Sequence, residues 1–312
     1  MEFAPLTLAD CKPWAELLAT AFERSPLQME RLLLWFHQGF KLIAWGAWDG
    51  TRLVAQYNCR LLELKLPGET QLLKAGMGLN MAVHPEYRGQ GLLDKVARPV
   101  HESITEQGYM AGVGFSNVLG AKVSRKSSHY NYEVLGKMSS ILIWLSRRHN
   151  CEPLTLTDKW PAKSLSLSLP EDDYIHYAVT PESIRHRFNE HPFRQYRFGV
   201  WSVGEATQGI VIYRIIRSGP ILGAALLAAY GEDLATLLRS WAGMICQEGV
   251  RFVHVLTSPN SPLRNLFRKI GTQVSLPYSR SPYYLIVRQL RNDTPSILFD
   301  LARWDCIGGD IL

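Results

Sequence analysis

Cysteine is scarce in this chain of 312 residues. The five present, Cys11, Cys59, Cys151, Cys246 and Cys306, are odd in number, widely spaced and never arranged as CxxC. That excludes a disulfide framework and a zinc site of the usual spacing, and it fits a reducing compartment. Long hydrophobic runs are also missing. The longest, Ile221–Tyr230, is about ten residues where a spanning helix needs roughly 20, so no transmembrane segment is expected. The start, Met1-Glu2-Phe3-Ala4-Pro5, lacks the basic residues and apolar core of a secretory signal, and a cytoplasmic protein is expected. Neither sign of charge dominates: 34 Lys and Arg stand against 28 Asp and Glu, a net +6 spread along the chain. Such a balance suits an anionic ligand and does not call for nucleic acid. Neither GxxxxGK[ST] nor GxGxxG occurs, which removes the Walker loop and the dinucleotide fingerprint.

Hydrophobic residues make up 46% and charged residues 20%, the balance of a globular chain and not of a disordered one. At roughly 150 residues per domain, the length allows two domains. Apolar residues at helical spacing (Trp14, Leu17, Leu18, Ala21, Phe22, then Leu32, Leu33, Trp35, Phe36) predict helices over 8–22 and 26–38. Strands are predicted at 41–48 and 52–66 around an Asp49-Gly50 turn, and at 71–83 after Pro67-Gly68. His84-Pro85 stops the last strand, because proline cannot donate to a ladder and restricts the residue before it. From Gly91 a helix begins with Leu92, Leu93, Val96, Ala97, Val100 and Ile104 on one face, and Pro99 inside it predicts a kink or break. A strand at 110–115, a helix at 117–128 and a strand at 132–145 follow.

From 146 to 175 the character changes. Arg147-Arg148, Pro153, Pro161, a Ser/Leu alternation from Ser164 to Leu169 and Pro170-Glu171-Asp172-Asp173 fit a linker or an edge strand. Thr180-Pro181-Glu182 then restarts a helix, with an N-cap followed by proline at the first helical position. Strands at 196–203, 208–217 and 220–230, a helix at 232–248, a strand at 250–257, a helix at 261–270 and a strand at 283–290 repeat the order of the first half. Glu106-Gln107-Gly108 leads through an apolar strand to Asn117, and Gln247-Glu248-Gly249 does the same to Asn260. A basic pair ends nine residues past each Asn: Arg125-Lys126 and Arg268-Lys269. An internal duplication is therefore expected, with domains at 1–147 and 179–312 and a linker or edge strand at 148–178.

The chemistry concentrates in Leu79–Leu93, where a strand runs into a Gly-containing loop with an Arg, and the loop opens into a helix. The first four amides of a helix lack intrahelical acceptors, the dipole places roughly +0.5 charge there, and glycines let a phosphate approach the backbone. Arg88 adds a fixed positive charge with fork-like donors. The segment is an anion cradle on these grounds alone.

It also resembles the acetyl-CoA loop of the GNAT acyl-CoA N-acyltransferase superfamily, whose signature (Q/R)xxGx(G/A) follows a strand ending in a V-x-P-like turn. Arg88, Gly91 and Val83-His84-Pro85 match, and Leu93 departs from the small residue at the last position. Asn117 matches a position where such proteins often carry Asn, ahead of a helix that flanks the pantetheine arm. The resemblance implies an α/β (mixed α+β) fold: two tandem GNAT-like domains, each a mixed, mostly antiparallel sheet flanked by helices. It implies acetyl-CoA, or another acyl-CoA, as co-substrate and no metal. The backbone of Met81, Ala82 and Val83 would pair with the pantetheine like an added strand, and the pyrophosphate would sit on the amides of Gly89, Gln90, Gly91, Leu92 and Leu93 beside Arg88. A backbone N–H near Val83 would polarise the thioester carbonyl.

The resemblance implies a tyrosine acid on the helix after the Asn, but the aligned position holds Arg125; Tyr130, with Tyr132 and His129 beside it, is the candidate just beyond. The strand at 71–83 has no carboxylate. His84, whose intrinsic pKa suits a general base, a water relayed by backbone carbonyls, and the chain end with Asp310 and Leu312 are the candidates for that role, the last because the terminal carboxylate serves in some tandem relatives.

Opposite the phosphate loop the second half has Ala228-Ala229-Tyr230-Gly231-Glu232-Asp233-Leu234, with no Arg and two carboxylates where a pyrophosphate would sit. It is expected to be a degenerate GNAT-like domain that walls the substrate cleft. Arg303–Asp310, Arg187–Pro192 and Tyr196 resemble tandem GNAT-like proteins linked with bacterial cell-surface polysaccharide modification, which would make an amino-sugar one acceptor. His191-Pro192 is a helix terminator, and Trp35, Trp45, Trp48, Trp144 and Trp201 are assigned to core faces. The expected function is N-acetyl transfer from acetyl-CoA to a small-molecule primary amine in a ternary complex. The alternatives are a non-catalytic acyl-CoA sensor and an aminoacyl-tRNA-dependent peptidyltransferase of the tandem GNAT cell-wall type; the cradle argues against the latter.

Overall fold

The computed structural model describes residues 1–145, 154–161, 165, 167, 170–204, 206–276 and 282–311. In the first half the order is β1 (Glu2–Pro5), α1 (Cys11–Phe22), α2 (Pro26–Gly39), β2 (Leu42–Asp49), β3 (Arg52–Lys65), β4 (Leu73–Val83), α3 (Leu92–Glu106), β5 (Ala111–Ser116), α4 (Val118–Ser124), β6 (Glu133–Lys137) and β7 (Ser139–Leu145). After it come β8 (Thr155–Thr157), β9 (His176–Tyr177), α5 (Pro181–Asn189), β10 (Arg197–Val203), β11 (Ala206–Ser218), β12 (Ile221–Gly231), α6 (Leu234–Gln247), β13 (Phe252–Thr257), α7 (Leu263–Phe267), β14 (Gly271–Ser275) and β15 (Tyr284–Gln289). The Ser/Leu alternation at 164–169 falls mostly outside the described residues, as do Arg147-Arg148, Cys151, Pro153 and Leu312. No helix among the described residues is long and apolar enough to cross a membrane.

Two compact units form. The first comprises Met1–Lys65, Glu69–Gly136 and Tyr283–Phe299, the second Leu66–Gly68, Lys137–Pro282 and Asp300–Leu312. Their sheets run β1-β2-β3-β4-β5-β15-β6 and β14-β7-β13-β12-β11-β10-β8. Strand for strand these are the same order, with β8 and β10–β13 in the places of β1–β5. In each, the strand after the parallel pair is supplied by the other half of the sequence. The apolar run expected as one strand at 132–145 is therefore two. It breaks at the buried Met138, β6 staying in the first sheet and β7 joining the second. The units are thus not cut at 147 and 179: the first ends near 136 and recovers 283–299 from the end of the chain.

Alternation along β2 separates the two faces of the first sheet. Ile43, Trp45 and Ala47 pack with α3, while Ala44 packs with α1 and α2. On the α3 face Leu92, Val96, Ala97, Val100 and Ile104 lie against Tyr57, Cys59 and Ile286. Pro99 does not break α3, which runs unbroken from 92 to 106. One lost helical hydrogen bond and a ring clash cost about 3 kcal/mol, whereas burying the neighbouring Val96, Val100 and Ile104 contributes roughly 1.5–3 kcal/mol each. Of the tryptophans assigned to core faces, Trp35 is buried and Trp45, Trp48 and Trp201 are half-buried, but Trp144 is 42% exposed.

Both sheets are forked. β4 and β5 are parallel and pair only at Ala75↔Ala111, Gly76↔Gly112 and Met77↔Val113, although β4 continues to Val83. β12 and β13 pair from Gly223↔Phe252 to Leu226↔Val255, and β12 continues to Gly231. In the second unit the gap is filled by the chain's own residues 304–310. Ile307 bridges to Thr257, Thr257 Oγ1 donates to the Cys306 carbonyl at 2.9 Å, and Ser258 Oγ donates to the Trp304 carbonyl at 2.5 Å. Gly309 lies so close to β12 that a Cβ on it would stand 2.4 Å from the Leu227 carbonyl oxygen. Arg187 ties the far end, its Nε donating to the Gly309 carbonyl at 2.8 Å and its Nη2 to the Ile311 carbonyl at 2.6 Å.

Asp310 caps this segment by accepting from the Ile307 amide at 2.7 Å. Burial, reinforced by Asp305, pushes its carboxyl up to about 7 against the pull of that amide, Arg187 and His176. The native state then keeps a proton that the unfolded chain releases near pH 4, so its contribution to stability is complete below pH 4 and is lost as pH rises towards 7. Asp310→Asn is expected to melt above the wild type at pH 8 and to lose that advantage at pH 5, as thermal unfolding at the two values will show.

Candidate active site

The cradle is built by stitching the loop after β4 to the β2–β3 hairpin. Tyr87 donates to Asp49 at 2.6 Å, Arg52 pairs with Glu86 at 3.1 Å, and the His84 amide donates to the Val54 carbonyl at 2.8 Å. His84 is buried, its Nδ1 accepts from the Glu86 amide at 3.3 Å, and its Nε2 lies 2.6 Å from Arg52 Nη2. Only one nitrogen of a neutral imidazole can accept, so the ring bonds to one of these two donors and packs against the other. Gly89 and Gly91 take φ of 82° and 68°, a left-handed conformation that side chains resist. Gly91 is the N-cap of α3 and brings no side chain to the amides of the first turn, which include those of Leu92 and Leu93. Arg88, Gly89, Gln90 and Gly91 are exposed, with Arg88 Nε 3.4 Å from the Val83 carbonyl. The contrast with the second unit is direct: there Asp233 caps α6, accepting from Thr236 N at 2.9 Å, and these bonds hold its carboxyl below the usual range.

At the fork, side chains are stripped from the α3 face. A Cβ on Gly78 would stand 2.5 Å from Tyr57 Oη, and one on Gly112 2.6 Å from Tyr132 Oη. The two hydroxyls are 2.8 Å apart directly beneath the point where β4 and β5 part. Behind them His101 Nε2 lies 3.2 Å from Tyr132 Oη and its Nδ1 3.1 Å from the His129 carbonyl, while Cys59 Sγ donates to Tyr57 Oη at 3.5 Å. Because a carbonyl can only accept, Nδ1 carries the ring proton and Tyr132 donates to Nε2. Burial drives both phenols well above their usual range and His101 down to about 3, so all three are neutral. Arg288 from β15 adds positive charge that opposes protonation of His101, and its Nε and Nη1 are buried without a hydrogen-bond partner among the described residues.

Asn117 sits at the fork's other arm. It caps α4, accepting from the Gly120 amide at 2.8 Å, and Gly120 packs near Ser116 and Met81. Val83 lies in the ladder opposite Ala55, with Met81 half-buried and Ala82 buried. Tyr130 is buried in the α3-facing core, its ring 5.4 Å from Tyr57 and 5.1 Å from Tyr132, and burial raises its hydroxyl well above the phenol range. Arg125 is exposed at the end of α4. Helix α4 is shorter than the expected 117–128 because Asp94, in the first turn of α3, gathers residues 127–130: it accepts from Ser127 Oγ, from the His129 amide at 3.0 Å and from the Tyr130 amide at 3.1 Å. Burial raises the Asp94 carboxyl, but these bonds outweigh it and bring it to about 2. Asp310, half-buried as the cap of residues 307–310, is committed within the second unit.

The sequence reading did not include Tyr57, Cys59 or His101. His101 continues the apolar stripe of α3 after Ala97 and Val100, which is the signal that marks a polar group facing the core.

Residues 2–121 match the acetyltransferase (GNAT) domain family, so the first half carries a GNAT acyltransferase domain, of a family that uses acyl-CoA as co-substrate. No curated protein matches the chain. Solved structures extend the likeness of fold to the second half. A GCN5-related N-acetyltransferase from Anabaena variabilis is 13% identical over 93% of this chain and 73% of its own, with a TM-score of 0.66. Eis1 from Mycobacterium abscessus is 13% identical over 93% and 74%, with a TM-score of 0.62. A tandem GNAT protein from the clavulanic acid biosynthesis pathway is 14% identical over 94% and 99%, with a TM-score of 0.52.

The glycines of the fork separate cleanly in stability. Gly112→Ala drives a methyl into the buried Tyr132 ring and is expected to cost about 1–3 kcal/mol. Gly114→Ala, whose nearest neighbours would be 3.6 Å away, is expected to melt close to the wild type in the same thermal unfolding experiment.

Proposed function

We propose that the first unit transfers the acetyl group of acetyl-CoA to a small-molecule primary amine, by direct attack in a ternary complex. The observation that carries this reading is that one strand serves both ends of such a substrate. β4 forms an arm of the fork at 78–83 and runs straight into the cradle at 88–93. A molecule with its pyrophosphate on the Gly89–Leu93 amides and Arg88 would lie along Met81, Ala82 and Val83, with its thioester at the glycines above Tyr57 and Tyr132 and Asn117 shaping the far wall.

The amine nitrogen forms a bond to the carbonyl carbon, the C–S bond breaks, and the thiolate leaves while the ammonium gives up a proton. Tyr132 donates to His101 and Tyr57 donates to Tyr132, and the Tyr57 hydroxyl, against Gly78, can exchange that bond for one to the departing sulphur. Tyr57, whose hydroxyl lies against Gly78 of the fork, takes over the role that spacing suggested for Tyr130. In this reading the ammonium proton goes to water, because His84 is buried between Arg52 and the Glu86 amide and serves to hold the cradle. The second unit binds no acyl-CoA: its fork is filled by residues 304–310 and the start of α6 is capped by Asp233.

Titration calorimetry is expected to give one acetyl-CoA per chain, and Arg88→Ala, which removes a charge-assisted contact of roughly 1.5–3 kcal/mol, should raise Kd by about tenfold or more. Two sites per chain, or affinity untouched in Arg88→Ala, would contradict the assignment. Thiol release with a panel of amines should be lost in Tyr57→Phe well before binding is. Silence across the panel with binding intact would instead make the protein a sensor of acyl-CoA.

A further inference from the structure

The bulge in β4 is held by side chains that sequence reading did not single out. In the β3–β4 ladder Asn58 faces Leu79 and Gln56 faces Ala82, so Asn80 and Met81 together oppose Tyr57 alone. Asn80 takes φ 43°, in the left-handed region. A bulge displaces backbone groups from the ladder, and here Gln56 Nε2 donates to the displaced Asn80 carbonyl. Asn58 Nδ2 in turn donates to Gln56 Oε1 at 2.9 Å. Both carboxamides are buried, Gln56 completely. The second bond sets the orientation of the first: with Oε1 taken by the Asn58 donor, Nε2 is the end that faces Asn80.

The Asn80–Met81 peptide is trans, so its N–H is antiparallel to its C=O. Gln56 belongs to β3 and draws the carbonyl to that side. The Met81 N–H is thereby turned to the other side of β4, where β5 has parted from it. We infer that Gln56 and Asn58 are positioning residues that aim the Met81 N–H into the fork as the donor to the thioester carbonyl. When the amine attacks, the carbonyl π pair moves onto oxygen, the hydrogen bond from Met81 strengthens, and collapse of the adduct expels the thiolate. This rests on the acyl-CoA reading above and places the donor two residues before Val83.

Difference infrared spectroscopy with acetyl-CoA labelled with 13C at the thioester carbonyl reads this bond without an acceptor. The carbonyl band of bound acetyl-CoA should shift down in the wild type, and the shift should vanish in Gln56→Met while free CoA binds as before. Gln56→Glu keeps the volume and adds a pH arm. Its carboxylate repels the Asn80 carbonyl and its protonated form donates to it, so the downshift should be absent at high pH and return as pH falls, where the wild type stays level. With any amine that supports thiol release, Gln56→Met should lose about 10²-fold in kcat at unchanged KM for acetyl-CoA, the scale of an ångström of misplacement. A downshift that survives in Gln56→Met, or a Gln56→Glu variant indifferent to pH, overturns the inference; if Gln56→Met fails to fold, the Gln56→Glu titration decides alone. Wild-type protein that binds neither acetyl-CoA nor CoA overturns the acyl-CoA reading itself, and this inference with it.

Discussion

Two parallel strands that part company leave backbone groups without ladder partners, and buried backbone groups need partners. That constraint recurs in both sheets, after Met77↔Val113 and after Leu226↔Val255. In the second unit the answer is internal: Thr257, Ser258 and Ile307 tie the last residues of the chain into the gap, and a glycine at 309 lets them come close enough. In the first, the same place is the one proposed for the substrate. The acids follow the same division. Asp233 and Asp310 satisfy helix starts in the second unit, whereas the start of α3 is a bare glycine with an exposed arginine ahead of it.

The polar groups beneath the first fork are gathered from four elements, with Tyr57 and Cys59 on β3, His101 on α3, Tyr132 before β6 and Arg288 on β15. Low dielectric keeps them neutral apart from the guanidinium, and their donors run in one direction, from Cys59 through Tyr57, Tyr132 and His101 to the His129 carbonyl. Asp94 supports the set from the side by holding the 127–130 segment that carries Tyr130 and leads to Tyr132. The helix start that presents the cradle and the loop that delivers the hydroxyl are therefore fastened to each other by one carboxylate.

Local chemistry was legible in the sequence. Gly91 and the Val83-His84-Pro85 turn marked the passage from β4 into α3, and most of the element order followed from period and punctuation, though not β1 or β9. What could not be read depends on pairing across distance. Nothing in the alternation from Tyr132 to Leu145 marks Met138 as the place where one sheet ends and another begins, nor does the strand signal at 283–290 say which sheet receives it. The fork is likewise a statement about which residues of β4 and β5 stop pairing, and the hydroxyl pair appears only when residues 57 and 132 meet. Tyr130 was the nearer candidate along the chain; Tyr57 is the nearer one in space to the glycines of the fork.

The reciprocal placement of β7 and β15 bears on how the chain comes to be made. A ribosome that has released residues 1–136 has delivered most of the first sheet, but β5 and β6 have nothing between them until residues 284–289 emerge, more than 140 positions later. Contacts that distant close slowly, since loop entropy is lost before the strand's hydrogen bonds form. The first unit, the one with the cradle, is thus completed only after most of the second unit has been translated. Selection on the nascent chain would then favour whatever shields the exposed sides of β5 and β6 in the interval.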